Sequence, residues 1–337
     1  MKHNKLIAID LAKSVFQVCM IGNDDNVIMN KSLPRKELQQ FLAQLEPSTV
    51  VMEACYSSHY WGRFCQELGH SPRLIPAQHV KPFLRGNKSD ANDALAIAEA
   101  ARRPGLRFVP VKSTHQQDLQ SLHRIRERLT DSRRSLSNQT RGLLSEYGIV
   151  LPKGYGPFKK GLVLALDDSR LSGLLKEQLQ YVYQEFKQLS ARLLQLNKQI
   201  SALANQSPEC RLLMSIPGIG PIISTAIVCS VDVKNHFQSA REFAVWLGLT
   251  PRQSGSGGRS VMLGITKRGD RYLRKQLIHG ARAAMRTCRK REDRFSQWVN
   301  DLIARRGLNK ACVALAHKLA RLSWILLQRN EPFAYDK

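Results

Sequence analysis

The sequence predicts an α/β N-terminal domain with a mixed sheet, followed by a helix-rich remainder. Apolar, β-branched runs at 5–10, 15–21 and near 27–33 indicate three successive strands. Helical and strand-like segments then alternate up to about residue 76, and leucines at heptad spacing fill the middle of the chain. Strands followed by alternating helices and strands are typical of an α/β fold.

The N-terminal elements can be placed one by one. Residues 23–26 predict a turn after the second strand, and Pro34 opens a helix that continues to about Leu45. Three further elements follow, namely a strand at 48–53, a helix near 59–68 and a short strand near 72–76. We place this domain at residues 1–110.

Four carboxylates stand at the ends of these elements. Asp10 ends the first strand, and Glu53 ends a later one. Asp90 and Asp93 open an Ala-rich helix within Lys-Ser-Asp-Ala-Asn-Asp-Ala (88–94), where residues i and i+3 share a face. Each acid alone would more often be a turn residue or a helix cap. Together they favour a divalent-metal site for phosphodiesters in a ribonuclease-H-like (RuvC-like) layout.

The net charge indicates a polyanionic partner. The chain has 52 Lys and Arg against 27 Asp and Glu, a net charge of +25, with a pI near 10.2. Residues 1–60 contain six basic and six acidic side chains, so the whole excess lies after residue 60. No apolar run has membrane length and no amphipathic helix has a Lys-rich face with aromatic anchors, so no membrane partner is expected.

The cysteines and the N-terminus suggest a compartment. Seven cysteines, an odd number without a Cys-x-x-Cys pair, predict reduced thiols and argue against zinc. Asp10 and Lys13 interrupt the first apolar stretch, which argues against a signal peptide. The expected location is the bacterial cytoplasm, at the nucleoid.

The middle region, 111–207, is predicted to be a helical coiled-coil region for oligomerisation and nucleic-acid binding. Four leucines recur every seven residues: Leu122, Leu129, Leu136 and Leu143. After a break at 153–157, nine apolar residues from Leu175 to Leu203 follow an alternating 4-3 spacing. This seam predicts either a hairpin of two helices within one chain or an oligomer contact in a dimer or tetramer, and both can hold together.

The C-terminal domain, 208–337, is predicted to be mainly α-helical. Ile216–Pro221 separates two apolar helical runs, and its glycines, Gly218 and Gly220, predict a helix-hairpin-helix-like turn whose amides face a phosphate. A plain turn between helices is the alternative.

A Gly/Ser loop at 248–259, rimmed by arginine, follows this turn, and a segment at 264–274 then carries Arg and Lys at helical spacing. A serine on such a loop can present its hydroxyl to a phosphate. Residues 241–310 contain 17 Lys and Arg against five Asp and Glu. The side chains expected to bind nucleic acid here are Arg252, Arg259, Lys267, Arg268, Arg271 and Arg274.

The chain resembles the DEDD-type transposases of bacterial insertion sequences, a group that includes the Piv DNA invertase. Asp10, Glu53, Asp90 and Asp93 match the acidic tetrad of that family. Ile-Pro-Gly-Ile-Gly, Gly-Leu-Thr-Pro, the Ser/Gly loop and Gly-Ile-Thr-Lys-Arg-Gly-Asp-Arg-Tyr-Leu-Arg match its C-terminal transposase domain. The resemblance covers nearly the whole chain, and the two motif sets are independent.

The resemblance implies a mechanism. A loop serine attacks the DNA phosphodiester and forms a phosphoserine, while the tetrad holds Mg²⁺ at the same phosphate. The family pattern has paired serines four and five residues after the proline, where this chain has Gly255 and Ser256 after Pro251. The nucleophile is therefore carried onto Ser256, with Ser254 as the fallback. The resemblance also implies an element-encoded guide RNA that pairs with donor and target DNA.

Two other functions compete with a recombinase. A junction-resolving nuclease would use the same tetrad with water as the nucleophile and would leave no protein–DNA adduct. A non-catalytic nucleic-acid-binding protein would carry the carboxylates for structure alone and would show no magnesium dependence.

Overall fold

The computed structural model describes residues 5–22, 24, 26–87, 89–230, 232–257 and 259–335, without the side chains of Lys234, Ser256 and Ser260. Positions 23 and 25 of the predicted first turn and Lys88 of the acidic motif are therefore outside the described residues. The chain divides into two units, Met1–Gln117 and Asp118–Lys337.

The first unit is built on a five-stranded sheet of order β3-β2-β1-β4-β5. Its strands are β1 (Leu6–Asp10), β2 (Val15–Ile21), β3 (Val27–Pro34), β4 (Thr49–Glu53) and β5 (Ser71–Ile75). β1 pairs antiparallel with β2 and parallel with β4, so that Ile9 lies opposite Val18 and Met52. The predicted mixed sheet is confirmed, and its strands lie within one or two residues of their predicted bounds.

Helices cover both faces of this sheet. They are α1 (Arg35–Gln44), α2 (Ser58–Glu67), α3 (Ala77–Val80) and α4 (Asp90–Ala101), with a 3-10 turn at Lys81–Phe83. On one face, Phe16 and Trp61 meet edge-to-face in a buried core with Leu38. On the other face, the alanines of α4 pack against the sheet around Ile97. Small side chains let this helix approach the strands closely, which places its first turn near the sheet edge.

The second unit contains most of α5 (Thr114–Ser145), followed by α6 (Tyr155–Leu166) and α7 (Gly173–Gln206). The predicted seam of α7 packs inside this chain. Leu193 and Ile200 share a core with Leu129 of α5. The ring centroids of Phe186 and of Phe158 on α6 are 4.9 Å apart. The intrachain hairpin alternative therefore describes this seam.

The heptad prediction for α5 is wrong at its last member. Leu143 is 47% exposed, whereas its neighbour Leu144 is fully buried. A straight helix drifts about 20° per heptad from a strict seven-residue repeat, so the buried stripe moves by one residue over three heptads.

The rest of the second unit is mainly helical, as predicted. Its helices are α8 (Pro208–Met214), α9 (Pro221–Ser230), α10 (Val233–His236), α11 (Ala240–Trp246), α12 (Arg271–Cys288), α13 (Arg294–Arg306) and α14 (Leu308–Arg329), and its strands are β6 (Pro251–Ser256) and β7 (Arg259–Ile265). A buried core of this unit includes Leu277 of α12 and Leu315 of α14. Among the described residues, no helix combines the length and apolarity needed to cross a membrane.

We expect Leu193→Ala to lower the free energy of unfolding by about 2–5 kcal/mol, because it leaves a cavity between α5 and α7. The matched control is Leu194→Ala on the same helix, where the side chain is 59% exposed and the expected change is below about 0.5 kcal/mol. Denaturant titration of both variants measures the difference. If both variants lost the same free energy of unfolding, Leu193 would not contribute to a core between α5 and α7.

Candidate active site

The ends of two neighbouring parallel strands bring the first two carboxylates together. Asp10 is the last residue of β1 and Glu53 the last residue of β4, and these strands run parallel in register. Carboxyl ends of adjacent parallel strands share one edge of a sheet. The fold therefore places both acids at the same edge of the first unit.

The start of α4 brings the other two carboxylates to this edge. The Ser89 hydroxyl caps the helix by accepting a hydrogen bond from the Asn92 amide at 3.3 Å. The Asn92 side chain donates in turn to the Asn87 carbonyl at 2.8 Å. The cap fixes the helix start, so Asp90 and Asp93 both lie in the first turn, where the helix dipole favours negative charge.

Three of the four predicted carboxylates lie close together. One oxygen from each of Asp10, Asp90 and Asp93 lies within 4.8 Å of the others. Asp93 Oδ1 is buried and has no hydrogen-bond partner among the described residues. A buried carboxylate oxygen without a donor is costly unless a cation supplies the missing contact. An all-oxygen donor set of this kind fits a hard divalent cation such as Mg²⁺.

Electrostatics link Glu53 to this trio. Burial and the charges of Asp93, Asp90 and Glu53 raise the pKa of Asp10 from 3.8 to about 6. Burial and Asp93 likewise raise the pKa of Glu53, whereas the charge of Lys81 lowers it. Lys81, on the 3-10 turn after α3, was missed by the sequence reasoning, because no motif surrounds it.

The predicted Gly/Ser loop is instead a β-hairpin. β6 and β7 pair antiparallel, with Ser254 opposite Val261 and Ser256 opposite Arg259. Gly257 has φ +56°, a left-handed conformation suited to a tight hairpin turn. The side chain of Ser256, the predicted nucleophile, lies outside the described part of the chain. Serine and glycine are poor strand formers, which is why their pattern indicated a loop.

Backbone contacts at two glycines hold the base of this hairpin. Gly248 (φ +68°) lies against the backbone of Arg268, and Gly269 (φ +86°) lies against the carbonyl oxygen of Trp246. A Cβ atom at either glycine would collide with these backbone atoms. The close approach explains both glycines in the Gly-Leu-Thr-Pro and Lys-Arg-Gly-Asp motifs.

The expected nucleic-acid contact of Arg274 is corrected by the structure. Its side chain is turned inward at 9% exposure and donates to the carbonyls of Leu247 (2.9 Å) and Arg268 (3.2 Å). Arg274 therefore supports the hairpin base, because a buried guanidinium needs hydrogen-bond acceptors and these two carbonyls supply them.

The helical spacing expected for 264–274 is also wrong before Arg271, where α12 begins. Lys267 lies outside the helix with φ +56°, and Asp270 caps α12 by accepting from the Leu273 amide at 2.9 Å. The remaining predicted basic contacts are all exposed: Arg252, Arg259, Lys267, Arg268 and Arg271.

The glycines of the predicted phosphate turn divide into two cases. Gly218 (φ +89°) packs against the Gly280 carbonyl of α12, where a Cβ atom would collide with that oxygen. Close helix packing thus explains Gly218 without a phosphate. Gly220 has open space around it, and its carbonyl accepts from the Ser224 amide at the start of α9.

A buried polar network, missed from the sequence, fixes the start of α12. Thr225 Oγ1 donates to the Pro221 carbonyl at 2.6 Å and so accepts from Nε2 of His123 at 3.0 Å. The other ring nitrogen of His123 then accepts from the Tyr272 hydroxyl at 2.8 Å. Burial and the nearby charges of Arg126 and Arg124 lower the pKa of His123 to about 4, so the ring is neutral. The network ties α5, α9 and α12 together.

Comparison with known proteins gives the family. A family model described as "Transposase", for the DEDD group, matches residues 7–149, and the model "Transposase IS116/IS110/IS902 family" matches residues 210–297. The chain is 44% identical over 327 residues to the "Probable family 20 transposase" of Pseudomonas aeruginosa, covering 96% of this chain and 97% of that protein. The chain belongs to the IS116/IS110/IS902 family of transposases.

Two further relatives mark the range of this family. The transposase is 41% identical over 335 residues to the "Transposase for insertion sequence element IS1111A" of Coxiella burnetii, covering 99% of this chain and 92% of the relative. It is 23% identical over 349 residues to the "Pilin gene-inverting protein" of Moraxella bovis, with 97% of each chain covered. Transposases cut and transfer DNA strands, so the transposase is an enzyme of DNA recombination, as the sequence predicted.

The acidic cluster of the transposase should destabilise the metal-free fold as the pH rises. Because the folded-state pKa of Asp10 is raised to about 6, the folded protein keeps a proton that the unfolded chain loses above about pH 4. Stability therefore falls between about pH 4 and 6, and the loss persists above the folded pKa. We expect Asp10→Asn to remove this loss and, after allowance for solvent screening, to stabilise the metal-free protein at pH 7 by on the order of 1 kcal/mol.

Thermal unfolding in excess chelator at pH 4 and pH 7 checks this expectation. Glu67→Gln, at an exposed position in the same unit, is the control and should change stability equally little at both pH values. If Asp10→Asn lowered the stability of the metal-free protein at pH 7, the ionised Asp10 would not be unfavourable in the folded state, and the prediction would be wrong.

The glycine contacts at the hairpin base predict a second pair of variants. Gly269→Ala should cost on the order of 3 kcal/mol, because its Cβ atom would meet the Trp246 carbonyl. Gly257→Ala shares a positive φ but has open space around it, so it should cost about 1 kcal/mol. Thermal unfolding and limited proteolysis of the hairpin compare the two. If both variants lost a similar amount of stability, the positive φ and not the close backbone contact would explain the need for glycine at position 269.

Proposed function

We propose that this transposase cuts and rejoins the DNA of an insertion sequence through a serine–phosphodiester intermediate at a metal-assisted site. The observation that carries the proposal is the convergence of Asp10, Asp90 and Asp93, with a buried Asp93 oxygen that lacks a partner among the described residues. Family membership supplies the substrate class, since transposases act on DNA.

The carboxylates Asp10, Glu53, Asp90 and Asp93 would hold Mg²⁺, which supplies Lewis-acid stabilisation of charge on a phosphoryl oxygen when bound. The chain's own part is positional. Sheet pairing fixes Asp10 and Glu53, the Ser89 cap fixes the two aspartates of α4, and the Lys81 charge near Glu53 offsets part of the repulsion. A preorganised cluster of this kind suits charge that develops during phosphoryl transfer.

The finer architecture is part of the proposal. The strand order, with acids at the ends of β1 and β4 and on α4, supports a RuvC-like catalytic domain at 1–110. We assign 111–207 to a coiled-coil region for oligomerisation and nucleic-acid binding, and 208–337 to the transposase domain. Three exposed apolar side chains on α7, Leu174, Tyr181 and Leu194, support a role of this helix in a dimer or tetramer.

Ser256 is the proposed nucleophile, and Ser254 is the fallback. In the cleavage step, the bond from the serine oxygen to phosphorus forms as the phosphorus bond to the leaving deoxyribose oxygen breaks. The hydroxyl proton ends on that oxygen through solvent, and religation reverses the exchange, so no external energy source is required. The backbone pairing of Arg259 with position 256 across the hairpin supports Arg259 as a cation for the reacting phosphate.

The proposed partners are donor and target DNA, together with an element-encoded guide RNA. The family resemblance motivates the RNA, and the net charge of +25 suits either nucleic acid. A DNA substrate of this kind would place the enzyme at the bacterial nucleoid.

A nicked substrate that prevents religation tests the serine route. We expect wild-type protein to remain covalently attached to a DNA end, with the adduct on the peptide that contains Ser256. Ser256→Ala should bind DNA within about twofold of wild type, because one hydroxyl adds little to an electrostatic interface, yet it should form no adduct. Ser254→Ala is the matched control and should keep the adduct.

Removing a metal ligand tests the other half of the site. Asp93→Asn should lower Mg²⁺-dependent cleavage by at least about 100-fold while leaving DNA binding intact. Free DNA ends without any serine adduct would favour the water-using nuclease, and an adduct on Ser254 would move the nucleophile by two residues.

A further inference from the structure

A basic cavity lies between α5 and α12 of the second unit. Its volume is about 490 Å³. The lining residues are Arg126, Glu127, Thr130, Arg134, Lys275, Gln276 and His279. The buried network of His123 and Tyr272 and the ion pair of Lys275 with Glu127 (2.6 Å) join the two walls, so the opening between the helices is a fixed feature of this unit.

The charge inside this cavity is positive. Its one carboxylate, Glu127, is already shared by Lys275 and by Arg124 at 3.5 Å. Arg126 donates to the neutral Asn197 side chain at 2.7 Å and has no carboxylate partner in the described part of the chain. Burial, followed by the charges of Arg282, Lys275, Arg126 and Arg134, lowers the pKa of His279. Several cations therefore converge on one spot.

The cavity continues into a stripe of basic residues along α12. Lys275, His279, Arg282 and Arg286 follow a spacing of four, three and four residues, which places them on one face, while Leu277 faces the core. Together with Arg271, the stripe spans roughly 22 Å at 1.5 Å per residue. Helix α12 contains no Asp or Glu, so no acid of its own offsets these charges.

This stripe suits a polymer rather than a small anion. A solvated helix face usually mixes both signs, because like charges four residues apart repel each other. A nucleic-acid strand carries one phosphate per 3.4 Å of helix axis, so 22 Å of cations matches several consecutive phosphates. A single small anion would occupy the cavity and leave Arg282 and Arg286 without a partner from the ligand.

We propose that the groove between α5 and α12 binds the phosphodiester backbone of a nucleic acid, through Arg126, Arg134, Lys275, Arg282 and Arg286. None of these residues belongs to the carboxylate cluster or the hairpin. The inference rests on the proposed function, in that a strand-exchanging enzyme must hold nucleic acid away from the bond it cuts. Backbone contacts of this kind fix position without reading sequence. The backbone belongs either to the DNA or to a structured RNA.

Arg134→Gln/Arg282→Gln/Arg286→Gln tests the groove by removing three exposed charges. The matched control is Lys159→Gln/Lys160→Gln/Arg192→Gln, which removes three exposed charges from α6 and α7 of the same unit. Fluorescence anisotropy over a salt series, in chelator to prevent cleavage, gives the affinity for a duplex DNA and for a structured RNA. Thermal unfolding confirms that both variants are folded, and Arg282→Gln/Arg286→Gln serves if the loss of the Arg134 pair with Asp131 destabilises the triple variant.

The groove variant should bind at least about tenfold more weakly than the control, and the slope of log affinity against log salt should fall by about 2 to 3 for duplex. If affinity and salt slope fall for the duplex alone, the groove binds DNA; if they fall for the RNA alone, it binds RNA. If the groove variant gave the same salt slopes as the control variant for both duplex DNA and RNA, the proposed binding groove would be wrong. Cleavage of DNA by wild-type protein is scored separately, so a functional recombinase with an unaltered salt slope refutes the groove and leaves the proposed function standing.

Discussion

Repulsion among the carboxylates at the edge of the first sheet is the constraint on which the rest of that unit depends. Asp10, Asp90 and Asp93 hold oxygens within 4.8 Å of each other, and Asp10 carries a pKa of about 6 as a result of burial and these charges. Such a cluster persists only if other interactions hold its members in place. Parallel pairing of β1 with β4 does so for the strands, and the Ser89 cap with the Ala-rich packing of α4 does so for the helix.

In the second unit, close backbone contact takes the place of charge as the organising constraint. The segments around Gly248 and Gly269 lie against Arg268 and Trp246 so tightly that neither glycine can carry a side chain. The Arg274 guanidinium fills the remaining polar space by donating to two carbonyls. These contacts hold the base of the hairpin to the start of α12, and the His123 network anchors that same helix start. The base of the hairpin that carries the proposed serine is thus fixed by several contacts.

The sequence predicted the elements whose pattern is periodic and local. The strands and the four acids follow from alternation and from their positions at element ends, and three of those acids, Asp10, Asp90 and Asp93, lie close together in the structure. The hairpin was mistaken for a loop, because serine and glycine have low strand propensity and the pairing of β6 with β7 is set by its neighbours. Contacts between distant segments, such as Gly218 against Gly280 or Lys81 near Glu53, leave no local signal in a single sequence.

The charges suited to binding nucleic acid and the carboxylates of the candidate active site lie in different parts of the chain. The first 60 residues are neutral overall and contribute Asp10 and Glu53, whereas α12 carries basic residues without a single acid. A carboxylate cluster by itself repels a phosphodiester, so affinity has to come from cations elsewhere in the chain. Because backbone contacts bind ground state and transition state about equally, a basic groove raises occupancy without lowering the chemical barrier. The proposed metal site would act in the opposite way, since a divalent cation bound there would contribute most when charge develops on the reacting phosphate. The two functions can therefore be varied independently, because the charge excess lies outside the segment that carries Asp10 and Glu53.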